Sequence, residues 1–285
     1  MKTRRDFLKI AFGSLFMTNA ITMFGAEIQS RKSWKIGITD WDLRVTGRPS
    51  SFALAKELGF EGVQVSYEPN GADSLSIKAN RTKFLKAAKD SSVGIASLCM
   101  GVLNGRPLAT TPDAEEWVID CIDTMVDMKI DQVLLAFFSR GDVNQYKEQQ
   151  PLIIEKLKRL ATIAEKKKKI LAIESYLSAE DHIRMLDSIG SKAVKVYYDV
   201  RNSRNKNYDI FHEMELLGKK NLISQIHFKE DCCRLGEGDI NFTKVCETLD
   251  KINYKGWLIV EGSVQGDWKE SQKANSMFIK KLIRK

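Results

Sequence analysis

The sequence is poor in the residues that disulfide frameworks and zinc clusters require. It has three histidines and five cysteines among 285 residues. An odd number of cysteines argues against a fully paired disulfide framework, and the absence of any CxxC spacing argues against a zinc knuckle. Folds that depend on several disulfides or on cysteine-bound zinc are therefore not expected.

Proline, linkers and long apolar runs are scarce as well. The chain has only five prolines, and no Pro/Gly/Ser-rich stretch or repetitive tract divides it. It also lacks a glycine fingerprint for binding dinucleotide phosphates. The composition, 43% hydrophobic and 29% charged, is typical of a globular chain with a full core. We expect a single domain after the N-terminal segment.

Basic residues outnumber acidic ones, but they are scattered. The formal net charge is +8, and the densest basic run, Lys166–Lys169, closes a predicted helix. Cations there suit the negative end of the helix dipole. A solvated helix end explains this run better than a nucleic-acid patch does. We therefore expect no nucleic-acid partner.

The N-terminal 30 residues have the features of an export signal. Arg4 and Arg5 are followed by Phe-Leu-Lys and by an apolar stretch from Ile10 to Phe24. This stretch is too short and too weakly apolar to span a membrane. The paired arginines predict a twin-arginine signal at residues 1–30. The twin-arginine export machinery would then be a partner, and the protein would be periplasmic or otherwise exported, without a stable membrane span after processing. The alternative is a basic amphipathic start of a cytoplasmic protein.

From Lys35 onward, short apolar runs alternate with helical stretches. The predicted strands are Lys35–Thr39, Gly62–Ser66, Gly94–Leu98, Gln132–Ala136, Lys169–Ile173, Val194–Tyr198, Leu222–Ile226 and Trp257–Val260. The predicted helices are Pro49–Leu58, Arg81–Lys89, Thr111–Met128, Pro151–Lys166, one beginning at Ser178, Asp209–Leu217, Asn241–Ile252 and Lys269–Ile283. Eight such units in residues 31–285 predict an α/β fold, a (β/α)8 TIM barrel, which needs about 250 residues. A doubly wound sheet is the alternative.

The last four predicted strands run into polar side chains. These are Glu174, Asp199, His227 and Glu261. Any one of them could be an ordinary strand-end residue, but four in phase would converge at the C-terminal edge, where sites of parallel α/β folds are built. Three carboxylates cannot all stay ionised together in a buried site without compensation. One divalent metal ion resolves the conflict, and oxygen-rich ligation with a single nitrogen favours Mn²⁺, with Mg²⁺, Co²⁺, Fe²⁺ or Zn²⁺ as alternatives.

With those four positions, the sequence resembles the xylose-isomerase-like, sugar phosphate isomerase/epimerase superfamily of TIM barrels. Local agreement is found at Leu58–Val63, His227–Lys229, Leu235–Asp239 and Gly256–Glu261. The resemblance covers the whole predicted mature chain and implies that the four strand-end residues are metal ligands. It also implies that two of them, Glu174 and Glu261, are paired acid/base catalysts.

The resemblance implies an isomerase or epimerase acting on a sugar or keto-sugar. One glutamate would remove the proton next to a carbonyl, and the other would return a proton to the opposite face. A lyase or dehydratase acting on a 3-keto-glycoside or inosose would share the first step and then lose a β-substituent. A non-catalytic sugar-binding barrel is a third alternative. A DNA-repair endonuclease with this fold would need a histidine-rich zinc site, and export further argues against it. Export also favours an unphosphorylated substrate.

The sequence departs from the epimerase pattern at two places. Val200-Arg201-Asn202 stands where epimerases often carry a histidine, and Gln64 stands where a strand-end glutamate is common in relatives. The predicted substrate-binding residues are Asn202, Lys229, Arg234 and Gln64. For these polar residues, contact with solvent or stabilisation of a loop is the open alternative. His182 and His212 fall on predicted helices, where surface or packing roles are expected.

Overall fold

The computed structural model describes residues 34–262, 264 and 266–284. The predicted export signal at residues 1–30 lies outside the described residues. Within them, no helix is both long enough and apolar enough to cross a membrane.

Eight parallel strands form a closed barrel in chain order. They are β1 (Ile36–Thr39), β2 (Gly62–Ser66), β3 (Gly94–Met100), β4 (Gln132–Phe137), β5 (Ile170–Ser175), β6 (Val194–Asp199), β7 (Ile223–Phe228) and β8 (Leu258–Val260). β1 pairs with both β2 and β8, which closes the cylinder. The predicted (β/α)8 barrel is therefore confirmed, and the doubly wound sheet was the wrong alternative.

Helices follow the strands and cover the outside of the barrel. They are α1 (Ser51–Glu57), α2 (Lys78–Ser91), α3 (Ala114–Met128), α4 (Gln150–Lys166), α5 (Ala179–Ile189), α6 (Val200–Asn205), α7 (Ile210–Lys219), α8 (Phe242–Lys251) and α9 (Trp268–Ile283). The predicted start of the fifth helix is confirmed, because the Ser178 hydroxyl accepts a hydrogen bond from the Asp181 backbone N–H.

One helix was missed. The sequence predicted a single helix between β6 and β7, but α6 precedes α7 and begins immediately after Asp199. The cause is local: one carboxylate oxygen of Asp199 accepts hydrogen bonds from the backbone N–H groups of Arg201 and Asn202. These contacts satisfy N–H groups that an uncapped helix start would leave unpaired.

A partly buried aromatic side chain packs at the N-terminal ends of the strands. The Trp257 ring lies against Gly62 and Gly94, the first residues of β2 and β3. A Cβ atom added at Gly62 would lie 2.4 Å from the Trp257 ring, so only glycine fits that position. The other end of the barrel carries the polar strand-end residues.

Candidate metal centre

Four side chains meet at the C-terminal edge of the barrel. One potential ligand atom each from Glu174, Asp199, His227 and Glu261 lies within 4.8 Å of the other three. Glu174 and His227 are the penultimate residues of β5 and β7, Asp199 ends β6, and Glu261 directly follows β8. The parallel register thus brings the four predicted ligands to one point, and this cluster can hold one metal ion.

The imidazole of His227 presents one nitrogen to the carboxylates and the other to the barrel interior. Its Nδ1 lies 3.2 Å from Glu174 Oε1, 3.3 Å from Glu261 Oε2 and 3.7 Å from Asp199 Oδ2. Its Nε2 lies 2.9 Å from Gln64 Oε1. A positive charge, either a proton or a cation, is needed between Nδ1 and these oxygens.

Asp199 has one satisfied oxygen and one unsatisfied oxygen. Its Oδ1 accepts backbone hydrogen bonds of 2.8 Å from both Arg201 and Asn202. Its Oδ2 is buried and has no hydrogen-bond partner among the described residues. A buried carboxylate oxygen without a partner is costly. Because this atom belongs to the cluster, the residues fit a bound cation.

Lys229 and Asn202 link the carboxylates around the cluster. Lys229 Nζ lies 3.0 Å from Glu261 Oε2 and 3.5 Å from Asp199 Oδ2. Asn202 Nδ2 donates to Glu174 Oε1 at 3.3 Å, and its Oδ1 lies 3.5 Å from Lys229 Nζ. When ionised, the three carboxylates and the single ammonium group leave two negative charges. One divalent cation neutralises them.

The pKa shifts have the same electrostatic origin. Burial raises the pKa of Glu174 to about 7. Burial lowers the pKa of His227, but Glu261 and Glu174 outweigh it and raise that pKa to about 10. Burial raises the pKa of Asp199, but Lys229 and His227 outweigh it and hold that pKa below its usual value. The cluster therefore attracts positive charge from whatever source is present.

The predicted substrate-binding residues divide into two groups. Asn202 and Lys229 lie at the cluster. Gln64 is fully buried, and its side-chain oxygen is occupied by His227. The Arg234 side chain is held by the last helix instead, where its Nε donates to Ser271 Oγ at 3.1 Å. Substrate binding by any of the four remains a prediction.

Sequence reasoning overlooked Asp42 and the aromatic neighbours of His227. Burial raises the pKa of Asp42 to about 6, with Glu261 adding to the rise, and the Gly262 backbone N–H donates to Asp42 Oδ2 at 2.9 Å. Tyr197 and Trp41 lie 4.4 Å and 6.5 Å from the His227 ring, centroid to centroid. The sequence signal for Trp41 and Asp42 was the polar and aromatic run directly after β1, at the same edge of the barrel.

The geometry agrees with a comparison of the sequence with protein families. The sequence model of the xylose isomerase-like TIM barrel matches residues 52–282, most of the described chain. The chain belongs to this family.

Several similar proteins are named as sugar epimerases. SgbU of Haemophilus influenzae, named provisionally as an L-ribulose-5-phosphate 3-epimerase, is 26% identical over 258 residues, covering 81% of this chain and 89% of SgbU. A solved L-ribulose 3-epimerase superposes with a TM-score of 0.73 at 16% identity, covering 88% of this chain and 94% of its own. The Escherichia coli 3-keto-D-glucoside 4-epimerase YcjR gives 0.70 at 14% identity, with 87% and 98% covered. The two structural likenesses show a shared fold.

Proposed function

We propose that this member of the family is a cation-dependent isomerase or epimerase that acts on a sugar or keto-sugar. The observation that carries the proposal is the convergence of Glu174, Asp199, His227 and Glu261, with Asp199 Oδ2 buried and without a hydrogen-bond partner among the described residues. The provisional name of the SgbU relative, an L-ribulose-5-phosphate 3-epimerase, supports this reaction class.

The four residues would hold one divalent ion, for which Mn²⁺ is our first choice because three of the ligands are carboxylates and one is an imidazole. A cation held there would supply Lewis-acid polarisation of the substrate carbonyl, which would make the proton next to it more acidic. Lys229 and Asn202, whose side chains contact the carboxylates of the cluster, would hold further substrate oxygens.

Proton transfer is assigned to Glu174 and Glu261. One carboxylate takes the proton from the carbon next to the carbonyl, and the other, as the carboxylic acid, gives a proton to the opposite face of that carbon. Exchange with solvent then restores both groups for the next turnover.

We further propose that the protein is exported through its paired arginines, Arg4 and Arg5. An exported enzyme meets few sugar phosphates. An unphosphorylated sugar or keto-sugar glycoside is therefore the favoured substrate class.

The test is to incubate the purified Mn²⁺-loaded protein with a panel of keto-sugars and glycosides in D₂O. Deuterium incorporation next to the keto group, with formation of the epimer or isomer and no released fragment, supports the proposal. Release of an aglycone or of water would instead assign a lyase or dehydratase. A tight sugar complex with neither reaction would assign a sugar-binding barrel.

Replacement of either catalytic glutamate should abolish turnover. In Glu174→Gln and Glu261→Gln the proton acceptor is lost while side-chain size is kept, so we expect activity to fall at least about 100-fold, with an unchanged circular dichroism spectrum. Glu155→Gln, an exposed helix substitution, is the matched control and should keep full activity. Substantial activity in both site variants would rule out their acid/base roles.

A further inference from the structure

A row of buried polar side chains runs inward from His227 across the barrel. It consists of Gln64 on β2, Ser97 on β3 and Gln225 on β7, and all three side chains are fully buried. Polar groups in a barrel interior are costly unless they are paired. Each of these three contacts the next, so they form one connected chain, which ends at the Ala96 carbonyl.

The far end of the chain fixes its direction. The Ala96 carbonyl oxygen can only accept, so the Gln225 atom that lies 3.3 Å from it is the amide nitrogen. The Gln225 oxygen therefore faces Ser97. A hydroxyl has one hydrogen, and Ser97 donates it to Gln225 Oε1 at 2.6 Å.

The same argument continues toward the metal centre. Because Ser97 has given its hydrogen to Gln225, its oxygen accepts from Gln64 Nε2, which lies 3.1 Å away. The Gln64 carbonyl oxygen then faces His227 Nε2 at 2.9 Å. An amide oxygen can only accept, so Nε2 carries the hydrogen. Neutral His227 must therefore present the lone pair of Nδ1 to the three carboxylates.

We infer that Gln64, Ser97 and Gln225 are positioning residues that fix the tautomer and ring orientation of His227, so that Nδ1 is the nitrogen that binds the cation. A hydrogen-bond partner on the second ring nitrogen is how a ligating histidine is usually held. The inference rests on the cation site of the proposed function but not on the sugar reaction. It gives Gln64 a role other than contact with substrate.

The first test is cation affinity, measured by calorimetric titration of the metal-free full-length protein with Zn²⁺. Gln64→Met removes the acceptor for Nε2–H and should raise the dissociation constant at least about 10-fold. Gln64→Glu keeps an acceptor at this position and should restore the affinity to within about threefold of the wild type. Gln132→Met is the matched control, because Gln132 is a buried glutamine that begins β4; it should leave the affinity unchanged.

Ser97→Ala extends the test to a residue that touches neither the cation nor the substrate. It removes one oxygen atom and frees the Gln64 amide to turn over, so we expect affinity to fall severalfold. This variant also carries the test if Gln64→Met does not fold. Zn²⁺ affinities of Ser97→Ala and Gln64→Met that match the Gln132→Met control would overturn the inference.

The second test observes the tautomer directly. The chain has only three histidines, so nitrogen-15 NMR of the histidine-labelled Zn²⁺ protein gives a simple spectrum. We expect the perturbed ring to be protonated at Nε2 and metal-bound at Nδ1, and this pattern to weaken in Ser97→Ala. Metal binding through Nε2 would overturn the inference. Neither test uses a sugar. If the proposed sugar reaction fails, the result for the role of Gln64, Ser97 and Gln225 still stands on its own.

Discussion

At the level of single residues, the pKa values of two buried histidines are shifted in opposite directions by their neighbours. His227 faces carboxylates that outweigh burial and raise its pKa to about 10. His182 on α5 has neutral neighbours: its Nδ1 donates to the Ser178 carbonyl at 3.1 Å, and its Nε2 accepts from Ser175 Oγ at 3.0 Å. Burial therefore lowers the pKa of His182 to about 4. His182 is a packing residue, as its helical position predicted.

This shift makes the stability of the fold depend on pH. The His182 pKa is about 4 in the folded protein and 6.5 for the unperturbed group, so the unfolded chain binds the proton more tightly between these values. The contribution is complete above pH 6.5 and is lost as pH falls toward 4. At about 1.4 kcal/mol per pKa unit, the loss amounts to roughly 3 kcal/mol.

The measurement is the free energy of unfolding by urea from pH 7 to pH 4 for the wild type and His182→Leu. The variant should lose less stability over this interval. His212→Leu, which alters an exposed position on α7, should follow the wild type. Equal slopes for the wild type and His182→Leu would contradict the assignment of a neutral buried His182.

The residue level also shows what a sequence pattern can and cannot give. The phase of four apolar runs placed Glu174, Asp199, His227 and Glu261 at one edge, because parallel strands share a direction. It could not predict that Gln64 contacts His227 or that Arg234 donates a hydrogen bond to α9. Those contacts depend on the turn of single side chains across the barrel and on the path of a loop.

At the level of elements, α6 connects the metal centre to the segment after β7. The Arg201 side chain pairs with the fully buried Glu230, just after β7, and its Nη2 lies 2.6 Å from Asp239 Oδ1. The Glu230 carboxylate is closely surrounded, since a Cβ atom at Gly238 would lie 2.3 Å from it. These contacts join α6 to the segment that carries Lys229.

Loss of this buried ion pair should be expensive. Arg201→Met leaves the buried Glu230 without its ion-pair partner, and breaking such a pair costs about 3–5 kcal/mol. Arg204→Met is the matched control on the same helix, because Arg204 also contacts Asp239 but both side chains are about half exposed; we expect a loss within about 1 kcal/mol. Urea unfolding measures both. Similar losses of unfolding free energy in the two variants would show that the buried Arg201–Glu230 pair stabilises the fold no more than the exposed pair does.

Six residues are too few for the periodicity by which a helix is read from sequence. α6 depends instead on its cap by Asp199, and the same residue was already assigned to the metal. The longer helices were predictable because their apolar faces repeat over several turns. The ends of these helices were predicted less accurately: α1 begins at Ser51 rather than Pro49, and α3 begins at Ala114 rather than Thr111.

At the level of the whole molecule, the number and order of the units were sufficient to predict a closed barrel. Closure follows from eight alternating units of the right length, and the pairing of β1 with β8 confirms it. The reaction is harder to predict from the sequence than the fold, because the same barrel supports many chemistries through its loops.

The proposed export concerns the whole chain and can be tested separately. The lysine pair in the double variant Arg4→Lys/Arg5→Lys keeps both charges but removes the twin-arginine pattern. We predict that this variant stays in the cytoplasm when cell fractions are probed with an antibody. Unchanged export of the double variant would remove the twin-arginine assignment and, with it, the argument for an unphosphorylated substrate.

The central claim is that a single divalent cation sits among side chains from the last four strands of the barrel. The most direct measurement is an anomalous difference map from crystals of the protein grown with Mn²⁺. We predict one strong peak at roughly 2–2.3 Å from His227 Nδ1 and from oxygens of Glu174, Asp199 and Glu261. A map with no peak at this position, or with its only peak elsewhere, would contradict the account.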